Sequence, residues 1–243
     1  MLYVCIIFAI IAPYLICSIN PAIIVTKIKS GEDIRKLGSG GAGLTNVLRT
    51  QGKTAAVIVL FGDVLKGVVS ILLIKLFCLF FMPVESIGDS FPFNEFFTFL
   101  CLWIASLSAV LGHCFPLYYK FRGGKAVLVT VATGLIINWL AALSALIVFI
   151  IIVALTRYVS LGSIIAAALY PVCVWLIDVY VRYSPNLYIG VIFTLIIAVI
   201  LIFMHRQNIR RLINKNEKKL GQSERRQQRL YNHLYGIGEN DND

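Results

Sequence analysis

Of the 243 residues, 59% are hydrophobic and only 14% are charged, with a formal net charge of +10. A soluble domain carries about 25% charged residues, so this composition excludes an ordinary water-soluble fold and indicates a polytopic membrane protein. No basic, aromatic-studded face on a soluble fold is present, which excludes nucleic acid as a partner.

Taken in chain order, Met1 to about Val25 is apolar and long enough to cross a hydrocarbon core of roughly 30 Å, with Pro13 and Pro21 interrupting it. It lacks a basic n-region and a clear cleavage site, so it reads as a retained helix. Residues 26–53 form a polar, basic segment containing GSGGAGLTNVLR, from Gly38 to Arg49. Gly38, Gly40, Gly41 and Gly43 allow tight turns that expose backbone N–H groups. With Ser39, Thr45, Asn46 and Arg49 they form a candidate cradle for a phosphate or carboxylate. A second helix is expected from about Thr54 to Met82. Asp63 and Lys66 share a face of it, either paired and buried or wet near the membrane surface.

Residues 83–95, PVESIGDSFPFNE, are acidic and carry no Lys or Arg, the pattern of an outside loop. A third helix, about Phe96 to Leu111, returns the chain to GHCFPLYYKFRGGK at 112–125. Three apolar stretches remain, 126–155, 161–181 and 187–204, before a strongly basic end from His205. Three crossings would leave that basic end outside. The first stretch exceeds the roughly 20 residues one crossing needs, so a split near Asn138 restores the parity. The expected fold is therefore all-α, a polytopic membrane protein of about seven transmembrane helices, N-terminus outside and C-terminus cytoplasmic. The membrane domain covers 1–213. A polar cytoplasmic tail, 214–243, is expected to be partly disordered, fraying after about Gly236.

Three polar stretches then share the cytoplasmic side: the glycine loop, 112–125 and HRQNIRRL at 205–212. Gly123 and Gly124 offer exposed backbone and Lys125 a point charge, while His205, Asn208 and Arg211 share one helix face. GLTNVLRTQGKT ends like a nucleotide-binding loop, but Val47 occupies the place of its first Gly, so nucleotide hydrolysis is rejected. His113 has no Asp in the box that follows it, and so no local carboxylate partner. Cys114 beside it is read as a structural thiol in a polar loop, and the other five cysteines as small buried hydrophobes. Together these features call for a phosphorylated, anionic substrate and a membrane-resident acyl partner.

The same three stretches resemble the motifs of the bacterial acyl-phosphate:glycerol-3-phosphate acyltransferases, the PlsY family. GSGGAGLTNVLR (38–49) is similar to GSGNxGxTNxxR, GHCFPLYYKFRGGKA (112–126) to GHxFPxxxxFKGGKG, and HRQNIRRLINKNE (205–217) to HRxNIxRLxxGxE. TRYVSLGSI from Thr156, Ser18, and Asp63 with Lys66 are also similar to the family. The chain departs from the pattern at Gly41 (for Asn), Arg122 (for Lys), and Ala126 and Lys215 (each for Gly), and at Asn20, with Pro21 one place later than usual.

The resemblance implies seven helices and a cytoplasm-facing site in the bacterial inner membrane. It implies transfer of a fatty acyl group from acyl phosphate to the 1-hydroxyl of sn-glycerol 3-phosphate, giving lysophosphatidic acid and phosphate. No cofactor or metal is implied, and the residues do not speak to an oligomeric state. Ser39, with loop 38–41, is assigned to a phosphate or the developing oxyanion. Gly38, Gly40, Thr45, Asn46, Arg49, Lys125, His205, Asn208 and Arg211 are assigned to substrate binding. His113 is either a base or a structural hydrogen bond, with deprotonation by the donor's own phosphate as the alternative. The rival readings are a transporter of phosphate or an organophosphate, which would place polar groups at the membrane midplane, and an acyl-CoA-dependent acyltransferase.

Overall fold

The structure is a computed structural model that describes residues 2–81 and 93–221. Among them every regular element is helical: α1 (Leu2–Ser18), α2 (Pro21–Ser30), α3 (Leu44–Thr50), α4 (Lys53–Phe81), α5 (Phe93–Cys114), α6 (Val127–Ile137), α7 (Trp139–Thr156), α8 (Val159–Tyr180), α9 (Leu187–Met204) and α10 (Arg206–Ile213). Six apolar spans reach at least 18 residues, α1 and α2 counting together as one, and α6 adds a shorter apolar helix of 11 residues. Most of the acidic 83–95 loop, and the fraying expected after Gly236, lie outside the described residues.

The breaks between helices follow local chemistry. Asn20 caps α2, its Oδ1 accepting from Ile23 N–H at 3.2 Å with Pro21 at the first helical position, so the first apolar run bends after Ser18. The long stretch from 126 divides where the sequence suggested. Asn138 ends α6 and caps α7, its Oδ1 accepting from Ala141 N–H at 3.3 Å. Asn138 also bonds across the fold to the end of α8. Its amide donates to Asp178 Oδ1 at 2.9 Å, and Arg182 reaches the same oxygen at 3.3 Å. Asn138 and Asp178 are 40 positions apart, a separation that hydropathy does not bridge.

Packing is built on small residues. Helix α1 lies against α5 and α4, α4 against α6, α7 against α8, and α8 against α9. Cys5, Ala9, Cys78, Cys101 and Ala105 meet in one buried cluster with Ile71, Ile74 and Trp103, so three of the dispersed cysteines share a core. Small side chains let helices approach closely where lipid offers no hydrophobic drive between them. Large apolar side chains such as Ile7, Ile10, Phe61, Leu72, Phe80 and Leu195 point outward instead. A continuous girdle of that kind is tolerable only against lipid.

Candidate active site

The three polar stretches converge on one cavity of about 270 Å³. Ser39, Gly40, Thr45, Asn46, Arg49, His113, Lys125, His205, Asn208 and Arg211 all line it; Gly38 does not. Gly38 stands at φ +55 directly behind Asn46, where a Cβ would collide with the amide oxygen. It therefore shapes the turn from outside the cavity.

Asn46 organises the first loop. Its Oδ1 accepts from Ser39 N–H at 3.0 Å, and its amide donates to Ile34 O, Leu37 O and Gly41 O at 3.2, 2.9 and 3.0 Å. Gly40 N–H donates to Leu37 O at 2.9 Å and Gly43 N–H to Gly41 O at 3.1 Å. The N–H groups of Ser39, Gly40 and Gly43 are thus turned into the loop rather than presented to an anion. Gly123 and Gly124 behave likewise. Their N–H groups donate to Cys114 O and His113 O, each at 3.1 Å, so the expected exposed backbone folds back onto the end of α5. Arg35 joins the two loops, gripping Asp33 while donating to Tyr119 O at 2.9 Å.

Helix α5 runs past Leu111 to Cys114, so His113 and Cys114 are helical rather than in a loop, and both are buried. A carboxylate also reaches His113. Asp63 Oδ1 of α4 lies 3.5 Å from its Nδ1, and Lys66 Nζ lies 3.0 Å from the same oxygen. The pair Asp63–Lys66 is therefore buried and closed. Lys66 Nζ donates to Cys17 O at 3.2 Å and Ile19 O at 2.8 Å, and lies 2.8 Å from His113 Nδ1. An ammonium has three hydrogens and no lone pair, so Nδ1 must accept and the imidazole proton sits on Nε2. Nε2 occupies the space beside Gly124 and Ala42 O, where any Cβ on Gly124 would strike it.

His205 has the opposite polarity. It lies at the junction of α9 and α10 rather than on one continuous helix face with Asn208 and Arg211. Its Nδ1 is 2.8 Å from Leu201 O, which can only accept, so Nδ1 carries the proton and Nε2 is an acceptor. Burial, reinforced by Lys125, pushes its pKa down to about 4, so it is neutral at pH 7.

On the far wall, Lys125 donates to Asn208 Oδ1, and Asn208 donates to Glu217 Oε1 at 2.7 Å. Glu217 also accepts from Ser160 Oγ and from Arg211 Nε, each at 2.8 Å. These donors hold its carboxyl below the usual range, against the opposing effect of burial. Burial lowers Lys125 to about 8; Glu217 opposes that shift, while Arg211 and Arg49 add to it. Residues just past α10 complete the wall. Lys218 O accepts from Arg49 at 3.0 Å, and Leu220 N–H donates to Arg157 O at 2.7 Å. Asp63, Ser160 and Glu217 were not singled out as site residues from sequence. Only the TRYVSLGSI stretch and the last letter of the third motif pointed at the latter two.

This constellation coincides with a family match. The family model described as glycerol-3-phosphate acyltransferase matches residues 7–215. The chain belongs to the glycerol-3-phosphate acyltransferase family. It is 38% identical to the glycerol-3-phosphate acyltransferase of Clostridioides difficile (strain 630), over 89% of this chain and 96% of that protein. It is 40% identical to that of Thermoanaerobacter sp. (strain X514), over 88% and 94% of the two chains. Among solved structures it is similar to the glycerol 3-phosphate form of PlsY (YgiH), an integral membrane glycerol 3-phosphate acyltransferase. There the TM-score is 0.70 and the identity 31%, covering 89% of this chain and 96% of the other. The lysophosphatidic acid form of the same enzyme superposes with a TM-score of 0.67 at 29% identity, covering 89% and 95%.

Proposed function

We propose that this cavity transfers a fatty acyl group from acyl phosphate to the 1-hydroxyl of sn-glycerol 3-phosphate, releasing lysophosphatidic acid and inorganic phosphate. The observation that carries the reading is the meeting of Arg49, Lys125 and Arg211 with Ser39 and two buried histidines in one cavity. Three cations suit two phosphorylated substrates, and positioning is the main demand when the donor already has a good leaving group.

In this reading Arg49, Lys125 and Arg211 neutralise the phosphates, with Thr45 at the rim. Asn208 and Glu217 orient Lys125 and Arg211. Asn46 and Gly38 hold Ser39 in place. The glycerol hydroxyl oxygen attacks the acyl carbonyl carbon, the carbonyl oxygen takes up the negative charge, and the carbon–oxygen bond to phosphate then breaks. Ser39 Oγ and His113 Nε2–H are the donors for that oxygen. His205 Nε2 accepts from the acceptor's hydroxyl and aims it. With a pKa near 4 it is a poor proton acceptor at neutral pH. Glu217 is occupied by three donors and Asp63 is held as the charge partner of Lys66, so the departing phosphate takes the hydroxyl proton.

The motif loops and their Lys and Arg residues gather at one end of the helices, which supports a cytoplasm-facing site. It also supports seven crossings with an outside N-terminus in the bacterial inner membrane, α6 and α7 serving as the divided pair. The test is purified protein with radiolabelled glycerol 3-phosphate and either palmitoyl phosphate or palmitoyl-CoA. Lysophosphatidate from the acyl phosphate alone is the expected result. Product from the CoA ester alone would replace the donor assignment, and no product from either would sink the reading.

A further inference from the structure

A second cavity, of about 110 Å³, opens off the first and shares Val127, Leu128, Phe149 and Ser163 with it. Apart from Thr130, Ser163 and Tyr170 its lining is apolar. It descends between helices. On α8 the lining passes from Ser163 through Ala167 to Tyr170, two helical turns or roughly 10 Å. On α7 it descends in parallel from Phe149 through Ala145 to Ala142. Helix α6 packs on α4, α5 and α7, whereas α8 packs on α7 and α9, and the alanines keep the space between them open.

At the lower end Tyr170 crosses that space. It is 5% exposed, and its hydroxyl lies against the backbone of Gly134 on α6, where even a methyl group would collide with it. Neither that hydroxyl nor Thr130 Oγ has a hydrogen-bond partner among the described residues. Packing alone therefore holds the ring, and its loss would leave no donor or acceptor stranded.

We infer that Tyr170 is a specificity-determining residue that limits the length of the acyl chain accepted in this chamber, an inference that rests on the acyl-transfer reading above. A chain whose carbonyl lies by Ser39 and His113 enters past Phe149 and Ser163 and meets the Tyr170 ring about two turns down. Carbons beyond that depth have no space inside the chamber. Ala145 sets its width, since any larger side chain there would fill it.

The test is a series of saturated acyl phosphates, from octanoyl to stearoyl, with purified wild type, Tyr170→Leu and Ala145→Phe. Tyr170→Leu should raise kcat/KM for stearoyl relative to lauroyl phosphate by about tenfold, and Ala145→Phe should lower palmitoyl relative to octanoyl phosphate by a similar factor. The KM for glycerol 3-phosphate should stay within about twofold of wild type in both, because neither residue touches the polar cavity. Unchanged chain-length ratios in both variants would overturn the assignment of Tyr170 while leaving the transfer reaction standing. A wild-type protein that forms no lysophosphatidate from any of these donors would sink both.

Discussion

Lys66 Nζ stands 2.8 Å from His113 Nδ1 while holding Asp63 Oδ1 at 3.0 Å, so a buried ion pair on α4 dictates which nitrogen of a histidine on α5 carries its proton. His113 then faces the cavity as a donor. His205, anchored through Nδ1–H to Leu201 O, faces it as an acceptor.

If His113 is a donor, a side chain that keeps an N–H near Nε2 should substitute for it. His113→Gln should retain kcat within about tenfold of wild type, whereas His113→Ala should lose about a hundredfold or more, the usual cost of a missing oxyanion donor. Steady-state kinetics with an acyl phosphate decide this. Full activity in His113→Ala would remove the residue from the chemistry. Lys66→Met should cost about 3–5 kcal/mol in thermal unfolding, because Asp63 is left buried and unpaired. Adding Asp63→Asn should restore much of that loss.

Lys125 has a pKa near 8 in the free protein and must be charged to hold a phosphate. Binding is therefore full below pH 8 and weakens as pH rises through it. A phosphate monoester is already dianionic there, its second pKa being about 6, so the substrate does not change charge in that window. A profile of kcat/KM for glycerol 3-phosphate should bend downward above pH 8, by up to about tenfold per unit. In Lys125→Arg, which stays charged, the bend should vanish whatever the absolute rate. A bend that persists unchanged in that variant would assign it to another group.

Gly41 stands where the motif that this loop resembles has Asn. A Cβ there would meet only Ser39 Oγ, at an ordinary contact distance of 3.7 Å. Gly41→Asn should therefore fold normally and keep or raise activity, its amide lying within reach of the serine hydroxyl. A loss of activity beyond about tenfold, more than a surface-like change explains, would mean that the loop is misaligned with the motif.

Two other departures from the motif put side chains in left-handed backbone: Ala126 at φ +56 and Lys215 at φ +57, both at Gly positions of the pattern. An L-residue is strained there by roughly 1–2 kcal/mol, offset in part by the greater freedom of glycine in the unfolded chain. Ala126→Gly and Lys215→Gly should each raise the unfolding midpoint in detergent, by up to about 1 kcal/mol in stability. A lowered midpoint in both would show that the strain is compensated by packing.

The sequence alone settled what depends on neighbours along the chain. Composition and apolar runs established the membrane class. The length of the 126–155 run and the parity of crossings called for a break near Asn138; that Asn20 and Asn138 cap the helices after them came from the structure. The three motif stretches, with Ser39, Arg49, Lys125, His205 and Asn208, were legible from glycine, charge and order. Tertiary structure decided what depends on residues far apart. No local pattern places Asp63 beside His113, 50 positions on, or sets Glu217 between Ser160 and Asn208. Nor does a glycine-rich spelling reveal that Gly123 and Gly124 spend their N–H groups on the end of α5. The polarity of each histidine follows from what meets its second nitrogen. For His205 that is its own helix. For His113 it is Lys66, brought there only when α4 packs against α5 and the carbonyls of Cys17 and Ile19 at the end of α1.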